Sequence, residues 1–157
     1  MAKVLIIYHS KTGNTEAMAK AVEAGAKKEG VTVVRKALEA ASVDDLEEAD
    51  GIIIGTPTYF SACSAEIKRF IDDSIKHYPK LVGKVGAAFA SSGDLGGGAE
   101  TAILDVLRAF LVHGMIVPGY TTGGHYGPVS VGAPDAGRVK VCEGLGQTVA
   151  KLVKRLA

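Results

Sequence analysis

The sequence predicts an α/β protein in which helices cover both faces of a parallel sheet. Three observations predict it. Apolar runs alternate with helical stretches five times along the chain. The first run, Val4-Leu5-Ile6-Ile7-Tyr8, is apolar at consecutive positions, as a strand buried on both faces is. A chain of 157 residues, 47% of them hydrophobic, is large enough for one domain (1–157) with a substantial core.

Strands are expected at Lys3–Tyr8, Val31–Lys36, Gly51–Gly55, Val85–Ser91 and Met115–Tyr120. Helices are expected at Thr15–Glu29, around Val43–Ala49, and at Ser64–His77, Glu100–Val112 and Ala136–Leu156. Crossovers in such a sheet are right-handed, and its ligands bind beyond the carboxyl ends of the strands. The alternation alone leaves the strand order open. The longest irregular stretch, Gly119–Pro134, is rich in Gly and Pro and reads as functional or mobile.

The loops at the carboxyl ends of the strands locate the site. Strand one leads into Ser10-Lys11-Thr12-Gly13-Asn14-Thr15, a turn of hydroxyls and glycine at a helix N-terminus. The first helical amides have no partner inside the helix and the helix dipole favours an anion, so such a turn suits a phosphate. It contains neither G-x-x-x-x-G-K-[ST] nor G-x-G-x-x-G, which leaves a mostly neutral nest for a single phosphate monoester. The alternative is an ordinary strand-to-helix turn with Asn14 or Thr15 near the N-cap. Strand two leads into Ala37-Leu38-Glu39-Ala40, which carries nothing distinctive. Strand three leads into Thr56-Pro57-Thr58-Tyr59-Phe60-Ser61-Ala62-Cys63, with two adjacent aromatics. Strand four leads into Ser92-Gly93-Asp94-Leu95-Gly96-Gly97-Gly98. A flat aromatic ligand with a polar edge fits between loops of this kind, because aromatics flank a ring and Gly-rich backbone approaches its edge.

With these three loops on one sheet edge, the whole chain resembles the flavodoxin-like family of FMN proteins. Within it the chain is most similar to the WrbA-type NAD(P)H:quinone oxidoreductases, through Gly55-Thr56-Pro57-Thr58-Tyr59-Phe60, Ser64–Asp72, Gly96-Gly97-Gly98-Ala99-Glu100, His113-Gly114-Met115 and Gly123-Gly124-His125-Tyr126-Gly127. The resemblance implies a three-layer α/β/α sandwich with a five-stranded parallel sheet of order 2-1-3-4-5. It implies that Ser10, Lys11, Thr12, Gly13, Asn14 and Thr15 hold the FMN phosphate. Pro57, Thr58, Tyr59 and Phe60 would line the isoalloxazine, and Ser91, Ser92, Gly93, Gly96, Gly97 and Gly98 its other edge. His113 matches a family histidine near the flavin and is the catalytic candidate; the alternative is a histidine at a helix C-terminus that serves only the dipole. His125 and Tyr126 either gate the ring or are simply loop residues.

In that reading NAD(P)H delivers hydride to the flavin and a quinone-like acceptor collects the electrons, with no protein acid or base required. The alternative is a flavodoxin-type one-electron carrier docking to a protein redox partner. Such carriers are usually strongly acidic and usually sandwich the flavin between two aromatics, whereas this chain has a net charge of +1, no Trp, and no aromatic in the loop after strand four. The extra segments that help WrbA-like proteins form tetramers are short here, and Tyr59 stands where that branch often has arginine, so a homo-oligomer stays open.

The charge balance argues against nucleic-acid binding. No apolar run is long enough for membrane insertion, no leader precedes the first strand, and the two cysteines are not spaced as a metal or redox pair, so a reducing, cytoplasmic setting is expected. Cys63 and Cys142 read as packing residues.

Overall fold

β1 (Lys3–Tyr8) and β3 (Gly51–Tyr59) lie inside the sheet of the computed structural model, which describes residues 1–157. β1 pairs in parallel with β2 (Thr32–Ala37) on one side and with β3 on the other. β3 pairs in parallel with β5 (Val85–Ser92), and β5 with β6 (Val129–Val131). The order β2-β1-β3-β5-β6 is the expected 2-1-3-4-5 of five parallel strands. One further strand, β4 (Ala62–Cys63), stands off this path and pairs antiparallel with the end of β3.

The alternation of side chains along β1 divides the core in two. Val4 and Ile6 pack with Met18, Val22, Leu145 and Val149, under α1 (Asn14–Lys27) and α4 (Ala136–Leu156). Leu5 and Ile7 pack with Ile67, Phe70, Ile103 and Phe110, under α2 (Ala65–Asp73) and α3 (Ala99–Val112). Both faces are apolar, so Val4–Tyr8 is buried at every position. α1 and α4 touch almost backbone to backbone. A Cβ added at Gly146 would lie 2.1 Å from the Val22 carbonyl oxygen, and one at Gly25 would lie 1.9 Å from that of Glu143.

Three expected elements differ. Met115–Tyr120 is not a strand: within it only Ile116 makes a bridge, to Val85. Pro118 has no N–H to donate, and Tyr120 turns inward, its hydroxyl donating to the Val141 carbonyl at 2.7 Å. The chain leaves the sheet edge there and returns as β6 beside Ala90–Ser92, at the other end of β5. The helix expected at Val43–Ala49 is one 3₁₀ turn, Val43–Leu46. Ser42 and Asp45 cap it reciprocally, and Asp44 and Asp45 favour a cap over a helix interior. The helix expected at Ser64–His77 is α2 followed by a 3₁₀ turn, Ser74–His77.

Candidate functional site

The turn after β1 is built to leave amides free. Gly13 takes φ +92°, a left-handed value that suits glycine, and opens α1 without a side-chain cap. The Ser10 hydroxyl oxygen accepts the N–H groups of Gly13 and Glu16 at 3.2 and 3.3 Å. The N–H groups of Asn14 and Thr15, in the first turn, have no partner within the helix. Thr15 itself is committed elsewhere: its hydroxyl shares a buried 2.8 Å hydrogen bond with that of Ser91, tying the start of α1 to the end of β5.

The segment after strand three is a hairpin rather than a loop. Thr58 and Tyr59 pair with Cys63 and Ala62 across the two-residue turn Phe60-Ser61, where φ is +49° and +62°. Positive φ at both positions is the twist a tight hairpin needs, and residues other than glycine adopt it at a cost of about 1–2 kcal/mol each. The turn is clamped from the far side. The Thr101 hydroxyl donates to the Ser61 carbonyl at 2.5 Å, and a Cβ at Gly98 would lie 2.6 Å from the Ser61 Cα. The clamp leaves Phe60 fully exposed and Tyr59 half-exposed, with the Lys11 ammonium 5.3 Å from the centre of the Tyr59 ring.

These parts converge. Thr12, Asn14, Pro57, Thr58, Tyr59, Ser91, Ser92 and Gly93 line one cleft of about 240 Å³ beyond the carboxyl ends of β1, β3 and β5. The Thr58 hydroxyl oxygen is buried there with no hydrogen-bond partner. No acid, histidine, lysine or cysteine lines this cleft. Ser10, Lys11, Gly13 and Thr15 flank it as parts of the turn.

Other expected site residues are placed differently. Gly96, Gly97 and Gly98 do not line the cleft; they turn the chain from β5 into α3, and Gly98 receives Ser61. Phe60 points outward at the hairpin tip. His125 and Tyr126 belong to a second cleft of about 420 Å³, which also takes in Leu95 from the loop after β5, with Glu100, Asp135 and Arg138.

His113 lies apart from this cleft in the chain. It follows α3, whose 14 residues carry the chain about 21 Å away from the loop after β5. There His113 is 7% exposed, its Nε2 lies 2.8 Å from the Ser74 hydroxyl, and burial, then the neighbouring His77, lowers its pKa. Nothing within this chain brings it to the cleft.

Two buried residues that no sequence motif singled out adjoin segments of the site, His9 before the turn and Cys63 paired with Thr58. His9, at the end of β1, is 4% exposed, and its Nδ1 lies 2.8 Å from the hydroxyl of Ser64, the N-cap of α2. His9 directly precedes the turn, which was the available signal. Cys63 is buried, and burial, then the Asp105 carboxylate, pushes its thiol up to about 11; burial pushes Cys142 up to about 12.

Residues 34–126 match the family described as NADPH-dependent FMN reductase. The chain is 35% identical to a protein of Archaeoglobus fulgidus named NAD(P)H dehydrogenase (quinone), over 99% of this chain and all of that one. It is 42% identical to a flavodoxin of Clostridium saccharobutylicum, over 80% of this chain and 76% of that one. Among solved structures, a flavodoxin, WrbA-like protein from Agrobacterium tumefaciens superposes with a TM-score of 0.87 at 28% identity, over the whole of both chains. The class defined by fold and site is thus the flavodoxin-like redox proteins, with FMN the cofactor these matches point to. Within that class the chain belongs to the NADPH-dependent FMN reductase family. The cleft fits that cofactor on its own terms: an orphaned Thr58 hydroxyl beside unpartnered helix amides wants a polar ligand.

Proposed function

We propose that the protein is an NAD(P)H-dependent FMN oxidoreductase that passes electrons to a quinone or a similar small acceptor. The observation that carries this reading is the second cleft. At about 420 Å³ it is of a size for a small organic reactant, and Leu95 places it against the same loop that walls the first. When bound, FMN would supply the electron chemistry between a nicotinamide and an acceptor.

The chain's own residues bind and orient. The amides of Asn14 and Thr15 and the Thr12 hydroxyl would hold the phosphate, at the positive end of the α1 dipole. Pro57, Thr58 and Tyr59 on one side and Ser91, Ser92 and Gly93 on the other would wall the ring. With no carboxylate, histidine, lysine or cysteine in the lining, the role of these residues would be to position the ring. Tyr126 and Leu95 offer apolar surface to the second reactant, with Glu100, Asp135 and Arg138 as its polar rim.

A second reading has its own support. The flavodoxin relative is 42% identical. The alignment to the quinone dehydrogenase runs over 190 positions against a chain of 157, so that relative carries stretches this chain lacks. A one-electron carrier serving a protein partner is the alternative.

One experiment separates the two. The FMN-loaded protein is mixed anaerobically with NADH or NADPH and its flavin absorbance followed. Rapid bleaching, reversed by benzoquinone, is the expected result. Flavin that stays oxidised with both nucleotides yet is reduced by dithionite overturns the enzyme and leaves the carrier.

A further inference from the structure

His9 and Ser64 lie outside the lining of the FMN cleft, yet they connect its two halves. From His9 Nδ1 the path runs 2.8 Å to the Ser64 hydroxyl, which also accepts the Ile67 N–H at 3.3 Å. The Ser64 N–H donates to the Thr56 hydroxyl oxygen at 3.0 Å, and that hydroxyl donates to the Pro57 carbonyl at 2.7 Å. Each of these hydrogen bonds is buried. A second arm runs through charge. Glu66 Oε2 is 3.7 Å from the same imidazole nitrogen, Glu66 Oε1 is 3.8 Å from the Lys11 ammonium, and that ammonium stands over the Tyr59 ring. The Glu66 carboxyl is held below its usual range by its own backbone N–H, then by His9 and Lys11.

His9 is also the last residue before the phosphate turn, and its backbone N–H donates to the Gly55 carbonyl at 3.1 Å. One side chain thus adjoins the turn and the N-terminus of α2, and reaches Pro57 through Ser64 and Thr56 and Tyr59 through Glu66 and Lys11. We propose that His9 is a positioning residue that couples the two subsites of the cleft: it holds the phosphate turn and the Pro57–Tyr59 wall in one geometry, so that phosphate recognition and ring stacking reinforce each other. The proposal rests on the FMN reading above. The physical reason is that a buried, mutually satisfied hydrogen-bond network has one low-energy arrangement, and cutting it leaves a buried donor or acceptor unpaired.

The test compares FMN with riboflavin, which has the ring but no phosphate, in fluorescence titrations of the apoprotein. His9→Asn carries its amide where Nδ1 lies and keeps the bond to Ser64, whereas His9→Gln carries it where Nε2 lies and loses it. His9→Gln is expected to weaken FMN about tenfold while riboflavin changes by less than about twofold, and His9→Asn to stay close to wild type with both. Combined with Tyr59→Ala, His9→Gln is expected to lose at least about threefold less FMN affinity than the product of the single losses, and to multiply simply with riboflavin. Thr56→Val cuts the same path one bond further on, and is expected to reproduce the selective loss of FMN should His9→Gln not fold. Equal behaviour of the Asn and Gln variants, or simple multiplication with FMN, overturns the coupling while leaving FMN binding intact. Wild-type protein that binds neither flavin overturns the FMN reading itself, and the coupling with it.

Discussion

Thr58 carries a hydroxyl buried in the cleft with nothing to bond, and such a group costs the protein about 1–3 kcal/mol. Thr58→Val keeps the shape and removes the orphan. The apoprotein is expected to gain about 1 kcal/mol, a rise of a few degrees in Tm by calorimetry, while FMN affinity falls about fivefold by titration. A variant that gains stability and keeps its FMN affinity shows that the hydroxyl does not serve the ligand. Cys63 gives a pH dependence with a definite sign. Its thiol is raised from 9.0 to about 11, so the folded state keeps a proton that the unfolded chain sheds earlier. This contribution is complete below pH 9.0 and is lost as pH rises towards about 11. Denaturant melts at rising pH should therefore show a steeper loss in wild type than in Cys63→Ala across that window.

Among the elements, the contact of α1 with α4 has the least tolerance. Gly146→Ala places its Cβ 2.1 Å from the Val22 carbonyl oxygen, which a rigid helix backbone cannot vacate. Overpacking of about 3 kcal/mol outweighs the roughly 1 kcal/mol that alanine gains in helix propensity, so a net loss of about 2 kcal/mol is expected in urea melts. The elements also show what sequence pattern can and cannot reveal. The bounds of β1 and α4 were legible to the residue, because each has one unbroken apolar pattern and α4 opens on the Asp135 cap. The hairpin was not, because its tight turn is Phe60-Ser61 rather than the Asn-Gly that marks such turns, and it is held by Thr101 and Gly98 from a distant helix. The edge strand was misplaced because Met115–Val117 is an unbroken apolar run whereas Val129–Val131 is interrupted by Ser130, and the two flank β5 at opposite ends.

At the scale of the whole molecule, the charge balance bears on how partners arrive. With a net charge of +1 there is little long-range field to steer a polyanionic nucleotide or a charged protein. Reduction by NADPH should change less than about threefold between about 0.05 and 0.5 M salt in stopped-flow measurements. A strong fall with salt would instead point to charge-guided docking and favour the carrier. The fold itself supplies the site: three strand ends at one edge of a parallel sheet bring loops from distant parts of the sequence into one cleft, with the α1 dipole aimed at it.

The amino-acid sequence by itself determined the α/β class, the strand order through a family resemblance, and which loops share one cleft: the turn after β1, Pro57–Tyr59 and Ser91–Gly93. These are local signals: apolar period, helix-start chemistry and loop composition are written in neighbouring residues. Only the tertiary structure decided that His113 lies at the far end of α3, that His125 and Tyr126 face a second cleft, that Gly98 serves the hairpin, and that His9 reaches Ser64. Those facts depend on helix length, crossover path and contacts between residues far apart in sequence. A side chain's partner across such a distance is set by packing, which no local pattern encodes.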